Sequence, residues 1–170
     1  RLEDSSISAR FKDLVSEVPI DILQLTADIV SLAREQLNHK LSEGLYVTLA
    51  DHLHFALERH KNNALLANPL EWEVRHFYTA EYTIGRQALG MVVARTGMLL
   101  PDSEACSIAL HIVNAGLNDT LGKTAKITQL LYQLQQIVKY FFTLHTDEHS
   151  LNYQRFITHL KFFAQRVIDG

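Results

Sequence analysis

The amino-acid sequence predicts an all-α helical bundle, on three observations. Apolar residues recur at the spacing of one helix face almost from end to end, no run shows the strict alternation of a half-buried strand, and helix start and stop signals leave only short connections. The first helix is expected over residues 7–17, with Phe11, Leu14, Val15 and Val18 turned inward. Pro19 starts a second, which carries Ile22, Leu23, Leu25, Ile29, Val30 and Leu37 and which Gly44 closes. Thr48 with Asp51 reads as a capping box opening a third helix, and "NPLE", residues 68–71, sets an Asn cap before a proline at the first helical position of a fourth. Residues 82–95 should be helical up to Gly97, residues 103–115 up to Gly116, 126–143 form another helix and 149–168 the last. Trp72, Phe77 and Tyr82 sit beside Leu70 and Val74 at helical spacing and read as core.

Composition narrows the function classes. At 47% hydrophobic and 21% charged, the 170 residues belong with folded globular proteins. With 16 Lys and Arg against 19 Asp and Glu the net charge is -3, and no basic cluster is present that could track a phosphate backbone, so direct nucleic-acid binding by this chain is disfavoured. The single cysteine, Cys106, allows neither an internal disulfide nor a Cys-based zinc site and points to a reducing compartment. No apolar run approaches the roughly 18 to 20 residues of a membrane span and no signal-peptide pattern opens the chain, so a cytoplasmic location is expected.

The stretch "TLADHLHFALERH" concentrates three histidines in one amphipathic helix. A shift of 107 residues lays "HLHFALER" on "HLKFFAQR" without a gap. Upstream, the same shift pairs Ile20 with Ile127, Leu23 with Leu130, Val30 with Ile137, Tyr46 with Tyr153 and Leu49 with Phe156. Under it His52 coincides with His159, whereas His54 and His60 meet Lys161 and Val167. The second copy runs out at Gly170, about half-way through, and the chain is therefore expected to be a fragment of a longer protein. The last two helices, with Leu130, Ile137, Phe156, Leu160 and Phe163, should pack against the first unit or a partner chain, or swap between chains.

His52 and His54 lie about 200° apart on a helix, so they cannot share a metal without distortion. Cys106 and His111 fall about 140° apart, which turns a would-be nucleophile from its base. A G-x-S-x-G elbow, a P-loop and a glycine-rich dinucleotide turn are all missing, which leaves metal, cofactor and enzyme readings without support. Phosphoryl acceptance asks only for an exposed ring nitrogen on a neutral imidazole oriented through its other nitrogen, and His52 and His111 are the candidates for it. The bland alternatives are a surface His52, a core His111 in "IALHIVNA", and an Asp51 that serves the helix dipole. His39, His76, His145 and His149 read as solvated.

Taken together, "ADHLHFALER", "NPLEWEVRHFY", "EYTIG", "LPDSEACSIALHIVNA" and "SLNYQRFITHLKFFAQR" cover nearly the whole chain. In these motifs it resembles the phosphotransferase-system (PTS) regulation domains of the BglG/SacY family of bacterial transcriptional antiterminators. The resemblance implies one complete regulation domain at residues 1–118 and the first half of a second copy at 119–170, with no catalytic residues. His52 and His111 would be the phosphorylation sites of the first domain, Asp51 a support for His52, and His159 the first site of the second. It further implies a homodimer modified by the phosphocarrier protein HPr and a sugar-specific enzyme II, with an antiterminator RNA hairpin bound only through an N-terminal domain absent here. Ala50 stands where that family has Thr or Ser, and Cys106-Ser107 where it has Gly-Phe. An inert helical dimerisation module, its histidines merely packed, is the alternative.

Overall fold

The computed structural model describes residues 16–64, 66–117, 121–142 and 150–170. Every regular element among them is helical: α1 Ile20–Gln36, α2 Gly44–Lys61, α3 Glu71–Phe77, α4 Thr79–Thr96, α5 Asp102–Leu117, α6 Leu121–Phe142 and α7 Leu151–Asp169. The helix expected over 7–17 falls almost wholly outside the described residues, as do His145 and His149.

Several local signals act as their chemistry dictates. The Pro19 carbonyl accepts from the N–H groups of Ile22 and Leu23 and so opens α1. Asn68 does not cap α3 as expected: its Oδ1 accepts from Leu70 N–H at 3.0 Å in the turn before the helix, whose N-cap is Leu70, so Pro69 lies outside α3 and not at its first position. Gly97 ends α4 at φ +71°, where its N–H caps the Val93 carbonyl, and Ser150 Oγ accepts from Tyr153 N–H at 3.2 Å to start α7.

Two glycines read as stops are not stops. Gly44 is the first residue of α2, because starting a turn earlier buries Leu45 as well as Leu49, and that burial outweighs the cap signal at Thr48. Thr48 Oγ1 consequently bonds back to the Leu45 carbonyl inside the helix, and the capping box with Asp51 does not form. Gly116 lies within α5, where its missing side chain makes room for His39: a Cβ there would stand 2.6 Å from His39 Nε2.

Two apolar clusters share α5. The first joins α1, α2, α4 and α5 through Leu25, Ile29, Leu49, Leu53, Ala88 and Ile112. The second sets Val74 and Phe77 of α3 and Cys106, Ala109 and Val113 of α5 against Ile127 and Leu131 of α6 and Tyr153, Ile157 and Ala164 of α7. A helix that faces core on both sides is apolar all round, and α5 is the most continuously buried helix of the bundle. It also lies hard against α4, since a Cβ on Gly85 would come within 2.2 Å of the Ala105 carbonyl oxygen.

The last two helices thus pack against the first unit as their apolar stripes require, although Ile137 and Phe163 stay exposed. Phe77 is core as expected and Tyr82 is half-buried, its hydroxyl donating to Asp102 at 2.8 Å. Trp72 departs from the expectation. At 41% exposed it stacks on a half-buried His76, ring centroids 4.0 Å apart, because the two-turn α3 has one inward face and Val74 and Phe77 occupy it. No helix among the described residues is long and apolar enough to cross a membrane.

Candidate functional site: a histidine pair on a buried carboxylate

On α2, Arg59 follows His52 by seven residues, and on α5 His111 follows Glu104 by seven. Two helical turns return a side chain to nearly the same face, so each helix presents one two-residue face, and the two meet where α2 packs on α5. His52 Nε2 lies 3.0 Å from Glu104 Oε2, and Arg59 Nη2 donates to Glu104 Oε1 at 3.2 Å. The His52 and His111 rings stand 4.8 Å apart at 44°. Glu104 and His111 are buried, while His52 keeps an edge to solvent.

The electrostatics differ from one group to the next. Burial alone would raise the Glu104 carboxyl, but the His52 hydrogen bond and charge, joined by Arg59, outweigh it and hold the group below the usual carboxylate range. Burial first, then the charge of His52, pushes His111 down to about 3 against the opposing pull of Glu104, so this imidazole is neutral at neutral pH. His111 Nδ1 and Arg59 Nε are buried without a hydrogen-bond partner, an uncommon state for interior polar atoms. The site therefore combines an ionised carboxylate, a guanidinium and two imidazoles, one of them largely buried at 9% exposure, with Nδ1 its enclosed nitrogen.

His52 and His111, chosen separately from the sequence, are brought into one site. His159 is exposed on α7 and takes no part in it. Asp51 is likewise exposed, and the carboxylate seated on His52 is Glu104 instead. Cys106 lies on the far face of α5 in the second cluster, where burial raises its thiol, and its separation from His111 follows the angle expected from spacing. Ser107 accepts from Asn68 Nδ2 at 3.1 Å and donates to the Ser103 carbonyl, which ties the start of α3 to α5. Among the described residues no three His, Cys, Asp or Glu side chains are grouped to hold a metal.

Glu104 and Arg59 carry a signal that a search centred on histidines misses. Both stand seven residues from a histidine, and the shift of 107 that pairs His52 with His159 also pairs Arg59 with Arg166. Glu104 is harder to single out, because an acid in the first turn of a helix is already explained by the dipole.

A model of the PRD domain matches residues 27–115, which hold all four of these side chains. The chain belongs to the PRD domain family. Its relatives include the transcription antiterminator LicT of Bacillus subtilis (strain 168), 43% identical over 169 residues, or 99% of this chain and 61% of that protein. The beta-glucoside operon antiterminator of Dickeya chrysanthemi is 41% identical over 167 residues, 98% of this chain and 59% of the relative. This PRD chain thus spans about three fifths of the length of the relatives it matches. Among solved structures it is similar to the crystal structure of GlcT CAT-PRDI, with a TM-score of 0.62 and 30% identity, covering 65% of this chain and 66% of that one. The PRD match ends before α6, so the site lies wholly within it and His159 beyond it.

Proposed function

We propose that this chain is the regulatory region of a sugar-operon transcriptional antiterminator, with no catalytic role of its own, in which His52, His111 and His159 accept phosphoryl groups from the phosphotransferase system. Donors are the phosphocarrier protein HPr and a sugar-specific enzyme II, and occupancy sets the state of a homodimer. The observation that carries the reading is the meeting of His52 and His111 over one buried carboxylate. A phosphoryl group adds about 1.5 to 2 negative charges. Placed beside Glu104, that charge must either break the α2–α5 contact or recruit cations, and the unfilled Arg59 Nε–H is a donor for it.

Residues 1–118 then form one PTS regulation domain and 119–170 the first half of a second. In support, the shift of 107 lays Gly44–Lys61 over residues 151–168, within one residue of α7, and Ile20–Gln36 over 127–143, ending one residue beyond α6. RNA is reached through a domain outside this chain, in keeping with its net charge of -3 and its lack of a basic cluster. The test is incubation with the phosphorelay proteins and their phosphodonor, then location of acid-labile phosphate by mass spectrometry and sedimentation equilibrium before and after. Phosphate is expected at His52, His111 and His159, each lost in its own alanine variant, together with a changed dimer constant. A chain that takes up no acid-labile phosphate is the inert dimerisation module.

A further inference from the structure

The contact between His52 and Glu104 determines more than proximity. A carboxylate can only accept, so a 3.0 Å approach of Nε2 to Oε2 needs the proton on Nε2. A neutral imidazole carries one N–H, and the lone pair is then on Nδ1. Arg59 holds the other carboxylate oxygen, Oε1, which keeps Oε2 turned to the ring. His111 has no such brace: Glu104 shares its helix face but bonds across to α2, and His111 Nδ1 is left without a partner.

Building on the phosphoacceptor reading of His52, we propose that Glu104, braced by Arg59, is the positioning residue of that site and directs the phosphoryl group to Nδ1 of His52. In the transfer the P–N bond of a phosphohistidine or phosphoramidate donor breaks, its electron pair returning to the donor nitrogen, as the P–Nδ1 bond forms. Nε2 keeps its proton throughout. The positive charge that grows on the ring is taken up by the Glu104 carboxylate, the arrangement by which a buried acid orients a histidine and stabilises its cation elsewhere. Glu104 touches neither phosphorus nor donor and acts only through His52.

The experiment treats the chain with phosphoramidate and reads the phosphohistidine isomer at residue 52 by phosphorus and nitrogen NMR, with rates from intact mass. The wild-type chain is expected to carry phosphate on Nδ1. Glu104→Gln keeps an acceptor for Nε2–H without the charge, so the rate at His52 should fall on the order of 10- to 100-fold with the isomer unchanged. Glu104→Ala removes charge and acceptor together, so the rate should fall as far and both isomers appear; a merely structural role would leave the isomer alone. Circular dichroism confirms that each variant is folded, and if neither folds the wild-type isomer decides. Phosphate on Nε2 of the wild-type residue, or folded variants with unchanged rate and isomer, overturns the assignment of Glu104. No phosphate at His52 from either phosphoramidate or the phosphorelay proteins overturns the phosphoacceptor reading itself, and this inference with it.

Discussion

Helices α2 and α7 carry one pattern, His-Leu-x-Phe with an arginine seven residues after the histidine, and put it to different use. In α2, Leu45, Leu49, Leu53, Ala56 and Leu57 are buried, and the broad inward face draws His52 and Arg59 onto Glu104 of α5. In α7 only Tyr153, Ile157 and Ala164 are buried, and the helix is turned so that Lys161 faces inward in place of His159, its ammonium 4.8 Å over the Tyr78 ring. Burial lowers the Lys161 amine accordingly. His159 and Arg166 are left on a solvated face. The difference teaches that the motif supplies half a site. The other half, a carboxylate and a second histidine two turns apart, comes from the helix packed over it, and α5 provides this for α2 alone.

The comparison breaks most severely where α5 is dislodged. Gly85→Ala forces a methyl group into the Ala105 carbonyl and should cost about 3 kcal/mol in urea denaturation, the upper end for overpacking. Gly90→Ala, on the same helix with open space around it, should instead gain roughly 0.5–1 kcal/mol from helix propensity. Equal losses in the two variants would mean that the α4–α5 approach is not tight.

Removing the arginine from each copy sharpens the contrast. Arg59→Ala leaves the buried Glu104 with only His52 and should destabilise by about 2 kcal/mol, below the usual cost of stranding a buried ion because Arg59 is itself part-exposed. Arg166→Ala in α7 should stay within about 0.5 kcal/mol. Matching values from denaturation would make α2 and α7 equivalent faces after all.

The smallest effect is read in pH. His111 titrates near 3 when folded and near its ordinary value of about 6.5 when unfolded, so between these pH values the unfolded chain binds the extra proton. Stability is therefore intact above about pH 6.5 and declines as pH falls towards 3, by about 1 kcal/mol between pH 7 and pH 5.5. Glu104 adds its own loss only lower, because its carboxyl is already held below the normal range. His111→Leu should flatten the upper part of this decline; a slope unchanged by that substitution would place the titration on another group.

Much of this molecule was legible in the one-dimensional pattern, and the failures are instructive. Helical periodicity, Pro19, Gly97 and the repeat predict the class, most of the helices and the particular histidines, because each depends on a chain's local stereochemistry or on spacing along a single helix. Gly44, Gly116 and Trp72 were misread because a glycine that stops a helix and a glycine that admits a neighbour look alike, as do an aromatic ring in a core and one beside it. The site lies between these extremes. The seven-residue intervals from His52 to Arg59 and from Glu104 to His111 are written in the sequence and determine which residues share a face. That the two faces meet, with Glu104 rather than the adjacent Asp51 seated on His52 and with His111 largely buried, follows only from the packing of α2 on α5, since hydrogen bonding and desolvation depend on distances between residues 52 positions apart in the chain.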